Sequence, residues 1–512
     1  MPIARASRLV ALLVARLGYD AVFLTAILSV KAAMAVGLYA SGFAGVSADE
    51  YTRSIFAMMW AQSPHLVAGK TAWLPFEQYL NGALLRIVPN PLWIPRLTVF
   101  IASCVLIAFY YKLVRLLFES RFAATVSAVG LTVFPWYAWL SATPALDEYY
   151  VAAMLAGLYY AARWAIERCK IALYAASGAF FLATGFHYQS WLVLAVIDLG
   201  NLWLLARLCR SGDWSSIAHQ VMATLIAHIY IMFTLTTTYR DAGNPFAFLE
   251  SHNEFTKELY GGYAVSPIEK LLYYPRLLVT ESNPIFGALA IYGAALRTSE
   301  GRGLRVRALL MLGLGVIAAY SLFNLWSVPP SAAPGRFALI FYVLLLPYAG
   351  LALDRLVKYP QFVATRTQGA QWLVALCLVL GTLWGLNQVR QFGDRQGWNG
   401  AVKAGYVISD LLREVDPKGG YLIELVSRWE WMGVKLSAGH YDNQYFDRPF
   451  DRYPFQSGPS WLEAGSDEFA AQLRSRRIVA MAFKDPQLIA RAREFGEIVS
   501  SDRGWVVLRV RF

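Results

Sequence analysis

Two acidic dipeptides stand out for where they fall. Ser47-Ala-Asp49-Glu50-Tyr-Thr-Arg53 follows one apolar stretch, and Thr143-Pro-Ala-Leu-Asp147-Glu148-Tyr149 follows another. A carboxylate so placed is a candidate general base, able to take the proton of an attacking hydroxyl where geometry and pKa suit. Each pair also has a plain structural reading. Ser47 and Glu50 have capping-box spacing, which would spend Glu50 on backbone amides. Asp147 and Glu148 precede an apolar run, where negative charge favours the helix dipole. The recurrence of the pair on one side of a membrane favours chemistry, and that sidedness follows from the elements that carry it.

Of the 512 residues, 57% are hydrophobic and 16% charged, against about 25% charged in average soluble proteins. A disordered chain is excluded and an ordinary cytosolic enzyme disfavoured. Apolar runs predict eleven membrane spans, at about 20–42, 94–114, 122–141, 148–163, 171–186, 189–207, 217–238, 284–296, 308–326, 337–354 and 371–389. The first is long for a signal-peptide core and carries Lys31 in its middle. The net charge of +12 resides in short loops between runs rather than in a nucleic-acid patch. Eighteen basic residues, from Arg5 to Arg366, fall in loops of one side, whereas the short loops of the other side hold only Arg336. The positive-inside rule puts the N-terminus in the cytoplasm. The long polar segments 43–93, 239–283 and 390–512 then share the outer face, in a multi-pass protein of the inner (plasma) membrane. The four cysteines lie in or beside apolar runs, with no metal-ligand spacing.

The expected architecture is a polytopic α-helical membrane protein with a C-terminal soluble α/β domain: residues 1–390 as the transmembrane module and 391–512 as the extracytoplasmic domain. In the latter, helices near 400–414, 466–475 and 486–494 alternate with strands at 421–426, 478–483 and 505–510. No glycine fingerprint for a nucleotide is present. In the first outer loop, Tyr51, Ile55, Met58 and Met59 share one helix face, and Phe76, Tyr79, Leu80, Ala83, Leu84 and Ile87 another. Both stripes suit helices in the headgroup plane or packed on protein. Lys31 and Asp198 fall inside spans, where ionisable groups face a bundle interior, paired with each other or with separate partners, or snorkel.

This organisation resembles the GT-C superfamily of glycosyltransferases, in the branch of the protein O-mannosyltransferases and lipid A aminoarabinose transferases. The resemblance rests on Asp49, Glu50 and Arg53 after the first span, then on Trp73-Leu-Pro75-Phe-Glu77-Gln-Tyr79-Leu and Pro95-Arg96. It continues with Phe134-Pro135-Trp136, Asp147, and Pro334-Gly-Arg336-Phe337 before Leu344-Leu-Leu-Pro347. There are two departures: the lysine usual before the first-loop proline is replaced in that stretch by Trp73 and Leu74, and Phe337 stands for the usual tyrosine.

The resemblance implies a polyprenyl-phosphate sugar as donor, a lipid, glycan or protein acceptor, and transfer outside the cytoplasm. Asp49 would be the base and Arg336 the clamp on the leaving phosphate, with Arg53 and Lys70 as second candidates for phosphate or headgroup. Asp147, with Glu148 beside it, would orient a sugar, or ligate a divalent ion together with Asp49 and Glu50. His65 and His252 are further ligand candidates, and His187 lines the cavity or caps a helix. Two rivals remain at this level. An O-antigen-type polymerase or ligase would use basic groups of 239–283, such as Arg240, Lys257, Lys270 and Arg276. A lipid or sugar transporter would show internal repeats, and no matching halves are visible.

Overall fold

The structure, a computed structural model, describes residues 18–66, 73–260, 266–296, 300–327, 334–358, 367–392, 398–425, 430–439, 441–448, 460–463 and 465–511. The chain divides into two compact units. The first comprises Met1–Gly37, Leu66–Glu77 and Thr98–Gln391; the second comprises Leu38–His65, Gln78–Leu97 and Phe392–Phe512.

The helices run in order as α1 (Tyr19–Ala40), α2 (Asp49–Gln62), α3 (Phe76–Leu85), α4 (Ile94–Phe118), α5 (Arg121–Thr132), α6 (Pro135–Leu140), α7 (Asp147–Glu167), α8 (Lys170–Phe186) and α9 (Gln189–Ser211). Then follow α10 (Trp214–Ala242), α11 (Ala247–Tyr260), α12 (Pro267–Glu281), α13 (Pro284–Ala295), α14 (Glu300–Phe323), α15 (Ala338–Leu345), α16 (Pro347–Lys358) and α17 (Thr367–Phe392). Each of the eleven expected spans coincides with one helix or a broken pair. Seven helical stretches among the described residues are long and apolar enough to cross a membrane.

Their burial shows what solvent they face. In most of these stretches the apolar window is only 17–44% buried, whereas Gly335–Lys358 is 94% buried. Leu199, Trp203, Leu225, Ile229 and Trp372 stand exposed on helix exteriors. Such apolar area on a bundle surface matches lipid rather than water. Gly335–Lys358 is the internal helix, and it breaks at Pro347, as the third span breaks at Pro135. Proline supplies no N–H and clashes with the preceding turn, so two spans read as continuous are each two helices. Phe134 and Tyr342, one beside each break, stack with centroids 4.0 Å apart. The helices α7 and α8 approach so closely that a Cβ on Gly157 would lie 2.3 Å from the Phe180 ring, a use of small residues common in membranes.

One end of this unit collects the basic loops. Asp20 accepts from Tyr111 at 2.8 Å and pairs with Arg115 at 3.5 Å and Arg121 at 3.3 Å. Arg305 binds Glu119 at 2.8 Å, and a crevice lined by Asp20, Lys112, Glu119, Arg163 and Arg305 joins these loops. Segments assigned to one side from the positive-inside rule thus meet at one end of the bundle.

The second unit is built on a sheet of β1 (Gly420–Ile423), β2 (Gln444–Phe446), β3 (Ile478–Phe483), β4 (Gly496–Asp502) and β5 (Trp505–Val510), ordered β2-β1-β3-β5-β4. The strands β1, β2 and β3 are parallel, and β5 runs antiparallel to β3 and β4. Beside it lie α18 (Trp398–Val415), α19 (Trp431–Ala438), α20 (Ser466–Ser475) and α21 (Pro486–Ala492). Alternation along the strands feeds two cores. Tyr421, Ile423 and Val507 pack with Ile408, Leu412 and Val434, while Leu422, Met481 and Leu508 pack with Phe469, Leu473 and Leu488. Helices therefore cover both faces of the sheet. The unit also contains α2, whose Tyr51 joins Ala44, Leu92, Val402 and Leu436 in a further cluster. The packed-on-protein reading thus holds for Tyr51 and Ile55 of α2, although Met59 is 54% exposed. By contrast α3 buries Glu77 and Asn81 and leaves Leu80 and Ala83 exposed. That inverted pattern suits lipid contact.

Candidate functional site

The first acidic pair begins α2 in the second unit. Glu50 is 1% exposed and its carboxylate accepts from Val46 N and Ser47 N, both at 2.7 Å, and from Ser47 Oγ at 3.2 Å. It therefore ties the loop to the helix start, as capping-box spacing implies. Asp49, one residue earlier, is half-buried, and Arg53 is buried a turn later. The loop before them is pinned twice. Tyr51 donates to Ala44 O at 3.0 Å, and Arg96 donates to Ala44 O and Leu92 O at 2.6 Å each. Burial pushes the Tyr51 phenol well above its ordinary range, with Arg96 opposing, so it acts as a hydroxyl donor.

The second pair begins α7 in the first unit. Asp147 and Glu148 are both buried, at the positive end of the helix dipole. A turn on, Tyr150 donates to Gln189 Oε1 at 3.0 Å, and its ring meets the His187 ring at a tilt of 37°, centroids 5.0 Å apart. The His187 ring caps the next helix, its Nδ1 accepting from Gln189 N at 3.0 Å. Tyr320 donates to the Gln189 carbonyl at 3.0 Å. Both Asp147 and Arg336 act electrostatically on the Tyr150 hydroxyl. The two candidates, almost 190 positions apart in the chain, thus bear on one side chain.

Arg336 stands in the short 3-10 turn Pro334–Phe337, with its guanidinium 4.8 Å from the Phe337 ring centroid. Trp136, at the start of α6, donates from its indole to Glu281 Oε2 at 2.7 Å. Arg336 and Glu281 both act on Tyr273, so Glu281 belongs to the same surroundings. Sequence reading missed Glu281, Gln189 and Tyr320. A lone glutamate at a helix end, as Glu281 is, carries no spacing signal.

Lys70 lies outside the described residues, as does the side chain of Lys257. His65 is exposed, with Nδ1 at 2.7 Å from Ser63 O. His252 is half-buried on α11. Among the described residues no three His, Cys, Asp or Glu side chains cluster as metal ligands. Arg240 pairs with its neighbour Asp241. The intramembrane charges Lys31 and Asp198 have separate neighbours: Asp198 binds His228 at 2.9 Å and Asn201 at 3.3 Å, whereas the Lys31 ammonium lies 3.4 Å from the centroid of the Tyr137 ring.

No protein-family model and no curated protein matches the sequence. Solved structures do match. ArnT from Cupriavidus metallidurans bound to undecaprenyl phosphate superposes over 94% of this chain and 98% of its own, at 14% identity and a TM-score of 0.56. Its apo state gives the same coverages, 13% identity and a TM-score of 0.53. The chain has the GT-C fold. Archaeal oligosaccharyltransferase AglB from Archaeoglobus fulgidus aligns over 95% of this chain and 74% of its own, at 14% identity and a TM-score of 0.48. Within this GT-C fold the transmembrane helices and the C-terminal domain are present together, as the sequence led one to expect. The likeness is one of architecture, since identity is low throughout.

Proposed function

We propose that this protein is a membrane glycosyltransferase that moves a sugar from a polyprenyl-phosphate donor to an acceptor hydroxyl on the extracytoplasmic face of the plasma membrane. The observation that carries the reading is the charged surroundings of Tyr150, on which a buried acid, Asp147, and a cation, Arg336, both act electrostatically in a GT-C fold. The match over nearly the whole of both chains to an ArnT structure holding undecaprenyl phosphate supports a lipid-phosphate donor.

In this reading the acceptor oxygen attacks C1 of the sugar from the face opposite the phosphate. The C1–O bond breaks with its electron pair, which stays on the departing polyprenyl phosphate, and configuration inverts. Asp49 takes the hydroxyl proton. The leaving group is a phosphate monoester with a second pKa of about 6, so it departs without a proton once its charge is neutralised. Arg336 neutralises it, presenting a planar fork to two oxygens, with Arg53 and Lys70 as further cations for the headgroup. Asp147 holds sugar hydroxyls, and His187 with Gln189 fixes Tyr150 beside it. Glu50 serves the backbone of its own loop.

The test reconstitutes the purified protein in lipid nanodiscs with acceptor membranes and a panel of polyprenyl-phosphate sugars, with and without magnesium or manganese. Release of polyprenyl phosphate from one donor class, lost in Asp147→Asn and Arg336→Ala, is expected. If no donor is consumed under any of these conditions, the reading fails.

A further inference from the structure

Two connected spaces lie in the first unit, at the end of the bundle where the basic loops meet. The inner one is a cavity of about 320 Å³, lined by Leu117 of α4, Leu158 of α7, Phe180 of α8, Ile197 of α9, Ala227 of α10 and Leu309 of α14. The polar residues in its wall are spent on one another. Asp198 is bound by His228 and Asn201, and Gln220 donates to Asn201 Oδ1 at 3.2 Å. Gln220 Oε1 and Thr224 Oγ1 are sealed from solvent. The cavity therefore offers mainly carbon, and apolar cavities stay dry.

The outer space is a crevice of about 650 Å³ lined by Lys112, Arg115, Arg163 and Arg305, together with Asp20, Glu119 and Glu167. Ile166 and Arg305 line both spaces, so the crevice runs into the cavity. Each acid is engaged: Asp20 by Arg115 and Arg121, Glu119 by Arg305, and Glu167 by Arg163. Five bases thus face three acids, and two positive charges are left over. Lys112 has no ion-pair partner among the described residues, and its ammonium stands 5.6 Å from the Phe109 ring centroid. Partly exposed ion pairs hold their arginines weakly, so the guanidinium groups remain available to an anion.

Both spaces lie at the far end of α7 from the acidic pair. Asp147 and Arg163 are 16 positions apart, about 24 Å along a helix. Exposed Leu202, Trp203 and Leu304 put the surrounding surface in hydrocarbon. An occupant must therefore arrive through the bilayer, bring a chain for the cavity, and carry negative charge at headgroup depth. Free phosphate lacks the chain, and a zwitterionic phospholipid lacks the net charge. A polyprenyl phosphate has both, but its phosphate is assigned above to Arg336.

We propose that the two spaces form a binding site for an anionic glycerophospholipid, with one acyl chain in the cavity and the phosphate among Lys112, Arg115 and Arg305. Basic pockets between transmembrane helices take such headgroups in other membrane proteins. The lipid braces the ends of α4, α7 and α14, and it stabilises the folded unit as any ligand of the native state does. Its test needs no turnover, so it stands or falls apart from the proposed reaction.

The experiment uses the purified full chain in phosphatidylcholine nanodiscs doped with phosphatidylglycerol that carries a diazirine in one acyl chain. Photolabelling should fall on the stretches of α7 and α14 that hold Leu158 and Leu309. Unlabelled phosphatidylglycerol should compete, and should raise the unfolding midpoint. Lys112→Gln should weaken that binding by about fivefold, the worth of one basic side chain near an anionic headgroup. Ala308→Phe narrows the cavity from an exposed position and should remove the labelling. Leu304→Phe, on the same helix but outside the lining, should not. Equal labelling by a phosphatidylcholine probe would reduce the site to ordinary lipid contact and overturn the proposal. Better competition by undecaprenyl phosphate than by phosphatidylglycerol, or protection by inorganic phosphate alone, overturns it too. So does a cavity left unlabelled by every lipid probe, since another part of the chain or nothing then fills the space. If Ala308→Phe fails to fold, Lys112→Gln decides, and wild-type affinity in that variant overturns the proposal.

Discussion

Gly335 lies so close to the Trp136 indole that a Cβ would stand 2.0 Å from Nε1, the nitrogen that donates to Glu281 at 2.7 Å. The glycine is therefore required by packing, immediately before Arg336. A methyl group here must push the indole off Glu281 or shift the turn that carries the guanidinium. Gly335→Ala should lower donor turnover by about 10²-fold, in line with a displacement near 1 Å, and should lower the unfolding midpoint in detergent. Gly178→Ala on α8 has nothing within 4 Å of the new atom. It should leave turnover unchanged and gain up to about 1 kcal/mol in helix propensity. Equal behaviour of the two variants would show that contact with Trp136 is not what matters.

The adjacent acids of α2 should separate into stability and rate. Glu50→Gln keeps one acceptor oxygen and turns a donor toward Val46, Ser47 and their neighbours, where three donors now point at the carboxylate. The mismatch should cost about 1–3 kcal/mol, read as a lower midpoint of thermal unfolding. Asp49→Asn should leave that midpoint near wild type, since Asn is itself a good residue at helix starts. Its turnover should fall by ~10²–10⁴-fold, the usual worth of a general base. An Asp49→Asn protein retaining half its activity would move the base elsewhere.

Much of the fold was legible because a bilayer reduces the reading to runs of apolar residues. All eleven spans coincide with helices, and α20 at Ser466–Ser475, β3 and β5 fall where the soluble segment's alternation puts them. What escaped has local causes. The breaks at Pro135 and Pro347 sit inside apolar runs whose hydropathy hides them. The strand β2 is three residues long and half-buried throughout, and β4 carries Glu497, Ser500 and Ser501 on a largely exposed edge. Neither offers an alternating pattern. At the candidate site, Asp147 and Arg336 were readable from type and order, whereas Glu281, which accepts from the Trp136 indole across 145 positions at 2.7 Å, needed the packing to become visible.

In the second unit, Glu424 follows β1 and is 6% exposed, its Oε2 accepting from the backbone of Lys484 at 2.5 Å and Asp485 at 2.8 Å. Burial raises its pKa above the ordinary carboxylate value, outweighing those two amides. The folded unit therefore holds a proton longer than the unfolded chain does. Stability should fall as pH rises through the window between the ordinary and the raised value, and the loss is complete above it. Glu424→Gln keeps an acceptor for both amides and never ionises. It should match wild type below the window and resist proteolysis of this unit better at neutral pH. A pH-independent difference between the two proteins would assign the effect to packing instead.

Arg336 allows a sharper separation of roles. The bland one is an interfacial anchor, which needs positive charge on a long stem at headgroup depth. Lysine supplies both, so Arg336→Lys would then behave as wild type. A phosphate clamp uses the planar fork, and lysine, as a compact point charge, gives up one of two parallel hydrogen bonds. The setting favours the fork, because the guanidinium is held beside the Phe337 ring at 4.8 Å while bearing on both Tyr150 and Tyr273. Arg336→Lys should therefore lose about tenfold or more in kcat, and Arg336→Ala about 10³-fold, as removal of a charge-stabilising donor does elsewhere. Both should insert and unfold like wild type. The deficit should be the same with every acceptor, since the departing phosphate is common to all turnovers. An acceptor-dependent deficit would place Arg336 at the acceptor instead, and Arg336→Ala turning over normally at saturating donor would hand the phosphate to Arg53 or Lys70.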